Sequence, residues 1–181
     1  MTSVRDMITL SSQAVHARVA SHAVSRQEYK VYLRASGTPI PPALARPEAG
    51  AEPATYVSQV EAIGYCRWLS GQEGQAYRLP AMAELEELAG ESVQDGSSPE
   101  IWPHHHGNRP DLRGGMKEMY LCEWTSETER VPVGGGQPDR ILGSIFYPPW
   151  LRHGNNATHA QAHLAASEGH SFVTFRVASD A

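Results

Sequence analysis

The sequence predicts an α+β domain, with helices gathered in its first half and short strands in its second. Three observations carry this. The first ninety residues hold two capping boxes, each followed by apolar residues at helical spacing. After Gly90 helical periodicity fades, and short apolar runs alternate with turn residues. Of 181 residues, 40% are hydrophobic and 19% charged, with 16 Gly and 13 Pro, a balance that suits a loop-rich domain and not a helical bundle. The chain is too apolar for disorder, and its length suits one domain over 1–181.

The elements follow in order. His16 to Val24 alternates loosely and reads as a strand. Ser25 with Glu28 opens a helix through SRQEYKVYLRAS, with Tyr29, Tyr32 and Leu33 as its apolar stripe and Gly37 as its stop. Thr38 to Pro53 holds five prolines and reads as surface loop. Ser58 with Glu61 opens a second helix, ended by Gly71, with Ile63, Cys66 and Leu69 on one face and Val60 and Trp68 flanking it. Tyr77 to Pro80 is a short extended turn. A third helix covers Ala81 to Ala89 and stops at Gly90; Leu85 and Leu88 are its buried side, and Glu84, Glu86 and Glu87 sit early, where the helix dipole favours acids. Glu91 to Gly115 is loop-like. Strands are predicted at Met119–Thr125, Ile141–Tyr147 and Phe172–Ala178. Between the last two lies a long polar stretch without periodicity, the kind of segment that is usually functional or disordered.

Several function classes fall on charge and composition. A net charge of −5 gives no global field for nucleic acid or acidic lipid. No run approaches 18 apolar residues, so no membrane span is expected. The N-terminus lacks the apolar block of a secretory signal, which points to a cytoplasmic protein. Cys66 and Cys122 make neither a disulfide framework nor a CxxC zinc half-site, and nothing in the sequence requires a bond between them.

The series YCRWL, YRLP, EWTSE and FRVA, at residues 65–69, 77–80, 123–127 and 175–178, resembles the formylglycine-generating enzyme family, the sulfatase-modifying factor domain. The resemblance covers roughly residues 20 to 180. It implies a C-type-lectin-like fold, with two to three helices packed on small twisted antiparallel sheets. It also implies, for the oxidase members, two cysteines near the C-terminus that hold copper, because thiolates are the soft ligands that Cu(I) takes. This chain departs there. From Arg140 to Ala178 it has no cysteine, and Val177 follows Phe175-Arg176 where the late cysteine would stand. Cys66 matches a packing cysteine of the family. Met116 and Lys117 occupy places where calcium ligands would be expected, and a lysine opposes calcium. RILGSIFYPPW replaces the family's RvlRGGSW, so the floor of the site is rebuilt. Iron-dependent relatives draw their iron histidines from a separate domain. The expectation is a pseudoenzyme with no cofactor and no transition metal, with calcium at the family's site as the alternative.

Nine histidines leave one alternative open. His159 and His163 are spaced i, i+4, and on a helix they would face one way, with His153 or His170 as a third ligand for zinc or iron. The alternative metal set is His153, His159 and His163. A polar surface turn explains the same residues, and His104, His105 and His106 read as surface residues too. Glu123, Trp124 and Arg78 read as structural, the charged pair tying loops to the core; Trp68, Tyr65 and Tyr77 read as core.

The binding candidates are Phe146, Tyr147, Trp150, Arg152, His153, Asn155 and Asn156, with His159 and His163. Tyr, Trp and Arg dominate binding hot spots, and Asn and His add adaptable polar contacts. Against this, Ile145 and Phe146 suit a strand core and Pro148-Pro149 a rigid turn. The stretch from Leu142 to Phe175 also occupies the place where proteins diversified by diversity-generating retroelements carry their variable residues on this fold. The expected function is non-catalytic binding of a protein or small-molecule ligand on a C-terminal loop surface. The alternatives are a metal-dependent enzyme using the histidines, and a structural subunit that assembles with itself or a partner chain.

Overall fold

A computed structural model describes residues 5–45, 52–94, 102, 121–148 and 161–181. The chain starts with an antiparallel pair, β1 (Met7–Ser11) and β2 (His16–Ala20), then α1 (Arg26–Ala35), a 3₁₀ turn (Pro42–Leu44), α2 (Gln59–Glu73) and α3 (Met82–Gln94). It closes with β3 (Cys122–Val131), β4 (Arg140–Phe146), β5 (Gln161–Ala165), β6 (Val173–Thr174) and β7 (Ala178–Asp180). Two sheets result, ordered β1-β2-β7 and β5-β4-β3-β6; all pairs are antiparallel except β3 with β6.

Both capping boxes form. Ser25 and Ser58 each accept from the backbone N–H of the glutamate three residues on, and Glu28 and Glu61 each accept from the serine's own N–H. Two orphan donors are satisfied at each helix start. The stops differ from expectation. Gly71 lies inside α2, which ends at Gly74 with φ 67°, and α3 runs through Gly90. Glycine inside an exposed helical turn weakens a helix by only about 1 kcal/mol, less than the packing of these helices contributes.

The strands differ as well. The strand expected from His16 to Val24 ends at Ala20, and that expected from Phe172 to Ala178 splits into β6 and β7 around buried Phe175, Arg176 and Val177. β1 and β5 arise where no strand was expected. Met119 and Tyr120 lie outside the described residues, and β3 continues to Val131.

The period of two along β3 and β4 divides the interior. Trp124 and Ile145 face α1 and α2, joining Tyr29, Leu33, Tyr65 and Leu69. Phe146 faces the other way, to Trp102, Leu85, Leu88 and Ala178. Val60, expected beside the core, is exposed, and Ala62 and Tyr65 fill that face of α2 instead. Among the described residues no helix is long and apolar enough to cross a membrane.

Candidate functional site

β4 and β5 set the frame of the site. Phe146 and Gln161 are paired at one end of this hairpin, and Leu142 and Ala165 at the other. The chain therefore leaves the sheet after Phe146 and returns at Gln161, so the connection 147–160 is held by two hydrogen-bonded strands.

Its base is fixed by burial. Phe146 is fully buried and stacks on Trp102, with ring centroids 5.5 Å apart and planes at 28°. It therefore serves as a core anchor, the strand-core alternative, and has no surface with which to bind. Tyr147 is half-buried against the helical core; burial and then nearby Cys122 push its hydroxyl pKa up. Trp150, Arg152, His153, Asn155, Asn156 and His159 lie outside the described residues, as do His104, His105, His106, Met116 and Lys117.

His163 is exposed on β5, with Nε2 3.6 Å from Oε2 of Glu129 on β3. The helical i, i+4 spacing expected with His159 meets a strand at His163, and His159 itself lies outside the described residues. His22 lies within hydrogen-bond distance of its neighbour Ser21, and His170 rests on Phe172 with centroids 5.4 Å apart. Among the described residues no group of three His, Cys, Asp or Glu side chains converges to hold a metal ion.

The cysteines are unsuited to redox chemistry. Cys66 and Cys122 are free and buried, and burial pushes each thiol up to about 12. A reactive cysteine needs the thiolate near neutral pH, and both are held protonated there.

Charged residues that look catalytic tie the frame together. Glu123 accepts from Arg176 Nε and Nη2, at 2.6 and 2.9 Å, with both side chains fully buried. Arg176 Nη1 also donates to the Ala20 carbonyl on β2, and its guanidinium lies 5.0 Å from the Trp102 ring centroid. Arg78 grips Glu84 with two bonds and reaches Asp180; the bond to Glu84 is the main cause that raises its pKa. Sequence reasoning assigned Glu123 and Arg78 structural roles but missed Arg176, Trp102 and Gln59. Gln59 is fully buried at the first turn of α2, and its Nε2 donates to the carbonyls of Thr125 and Glu127, beside the register shift in β3. An amide beside a capping box, inside an apolar face, was the available signal.

Comparisons with known proteins agree with this architecture. The sequence model of the sulfatase-modifying factor enzyme 1-like domain matches residues 16–109. No curated protein matches the chain. Among solved structures, PvdO from Pseudomonas aeruginosa is 19% identical with a TM-score of 0.56, covering 91% of this chain and 80% of that one. CarF is 14% identical with a TM-score of 0.59, covering 100% and 94%. Treponema denticola variable protein 1 is 12% identical with a TM-score of 0.55, again covering 100% and 94%. At these identities the likenesses concern the fold.

Proposed function

The chain belongs to the sulfatase-modifying factor enzyme 1-like family, and from that premise we propose that it is a non-catalytic member that binds a protein or small-molecule ligand through the connection between β4 and β5. One observation carries the reading: the pairing of Phe146 with Gln161, which makes 147–160 a segment mounted on a sheet whose end is anchored by a buried aromatic stack. Binding residues are commonly carried on loops held by rigid scaffolds. The segment's own composition supports the role, since Tyr147, Trp150, Arg152, His153, Asn155, Asn156 and His159 are residue types favoured in binding sites. The family's oxidase chemistry needs reactive thiolates, and both cysteines of this chain are buried and neutral. The fold likeness to a protein described as variable supports a finer reading, in which the stretch from Leu142 to Phe175 is diversified between sibling genes. We propose a cytoplasmic protein with no cofactor.

Replacing 149–160 with a Gly-Ser segment of equal length tests this. The expected result is an unchanged melting curve, because a display segment lies outside the core. Loss of folding would overturn the display reading. Elemental analysis of untagged protein is the second arm. One tightly held zinc, iron or copper per chain would overturn the non-catalytic reading and favour the histidine set.

A further inference from the structure

A second surface starts at the far end of the β4–β5 hairpin, where Ala166 meets Ile141, and runs back with residues 166–172 to Cys122, the neighbour of the Glu123 that pairs with Phe146. Six large hydrophobic residues are exposed among the described residues, and four of them, Tyr56, Val60, Ile141 and Phe172, lie along the strip formed by residues 165–172 and the chain beside them. Backbone bonds hold the strip together. Ala166 N–H donates to the Ile141 carbonyl, Val60 N–H to the Ala166 carbonyl, and Tyr56 N–H to the His170 carbonyl.

Two features mark the strip as built rather than incidental. Tyr56 is the one non-glycine residue with positive φ among those described, at 58°, and its ring is exposed. Tyrosine is strained there, and Gly169 is required opposite, since a Cβ on it would lie 2.3 Å from the Tyr56 carbonyl oxygen. Next to this lies an open groove of about 400 Å³, with Val60, Ile141, Ala165 and Ala166 as its apolar floor and Arg140 and Glu168 among its charged lining. Asp139, also lining it, is occupied by Arg130 at 3.8 Å. Arg140 and Glu168 form no ion pair, with each other or with any described residue.

We propose that this strip is an isologous dimer interface whose occupant is a second copy of the same chain. A two-fold contact needs a surface complementary to itself. An apolar floor carrying one unpaired cation and one unpaired anion meets that need: Arg140 of each copy faces Glu168 of the other, with Val60 and Ile141 packed between. The charges of the groove are mixed, which disfavours a strongly acidic or basic partner. The inference stands apart from the proposed function, since assembly is read without any ligand.

Sedimentation of the untagged full chain over a dilution series tests it. The wild type is expected to dimerise. Arg140→Glu and Glu168→Arg are each expected to weaken the dimer at least about tenfold by placing like charges opposite one another. Mixing the two variants is expected to restore a heterodimer, because both contacts then become attractive. Val60→Glu is expected to give a monomer with an intact fold, since an acid at the second helical position suits the helix dipole. Circular dichroism checks each fold. A monomeric wild type would overturn the proposal, as would a dimer that survives Val60→Glu or a variant mixture that fails to associate.

Discussion

Arg176 and Glu123 meet in a two-bond ion pair that no solvent reaches, 2.6 Å at Nε and 2.9 Å at Nη2, linking the turn before β7 to β3. The third arm of the guanidinium, on the Ala20 carbonyl, extends the link to β2. The two sheets are thus joined by one side chain with Trp102 lying against it. Replacing a buried pair with apolar residues is often neutral, but removing one partner strands a charge, at a cost of about 3–5 kcal/mol. Arg176→Met is therefore expected to lose that much stability in urea unfolding. The double variant Glu123→Leu/Arg176→Met is expected to recover part of it. A single variant within about 1 kcal/mol of wild type would remove the pair from its organising role.

The thiols predict a pH dependence. Burial holds Cys66 and Cys122 protonated, pushing each up to about 12 from an ordinary value of 9.0. Between those values the unfolded chain binds fewer protons than the folded one. Stability is therefore complete below about pH 9 and falls as pH rises toward 12. The urea midpoint at pH 10.5 should lie below that at pH 8, less so in Cys66→Ala/Cys122→Ala. Thiol reagents at pH 8 should label neither cysteine until denaturant is added.

Capping offers a local test. Ser25 and Ser58 each satisfy a helix-start donor that alanine cannot reach. Ser25→Ala and Ser58→Ala are each expected to lower the unfolding free energy by about 1 kcal/mol. Ser58 is the more sensitive position, being buried at the start of the helix that carries Tyr65 and Leu69. Equal, negligible shifts at both would show that packing alone places these helices.

Local chemistry made some elements legible and hid others. The helix starts could be read because a serine and a glutamate three residues apart act on each other directly. β5 could not, because QAHLA has little β-propensity and becomes a strand only by pairing with β4. β1 forms likewise through β2. The bonds around Arg176 reach 53 residues to Glu123 and 156 to Ala20, so YRLP, EWTSE and FRVA could suggest structural charges without saying which pairs with which. At the candidate site, alternation on β4 decides that Phe146 points inward, while residues 149–160 lie outside the described residues and carry only their composition.

Glycines sort by what surrounds them, and this yields opposite signs from one substitution. Gly71 and Gly90 sit in exposed helical turns with nothing within 4 Å of an added Cβ. Alanine there restricts the unfolded chain and suits the helix, so Gly71→Ala and Gly90→Ala should each add about 0.5–1 kcal/mol, a rise of about 2–4 °C in Tm per kcal/mol. Gly143 on β4 is different. A Cβ would lie 2.6 Å from Gln59 Oε1 and 2.8 Å from the Trp124 ring, both buried. Neither can retreat freely, because Gln59 holds the Thr125 and Glu127 carbonyls and Trp124 Nε1 donates to the Val57 carbonyl at 2.8 Å. Gly143→Ala should therefore destabilise by about 1–3 kcal/mol through overpacking. Gly169→Ala should cost more, because the atoms in its way are the backbone of Tyr56 and Val57. Thermal melts of the four variants check the order. A stabilised Gly143→Ala would mean that Gln59 does not brace the register shift in β3.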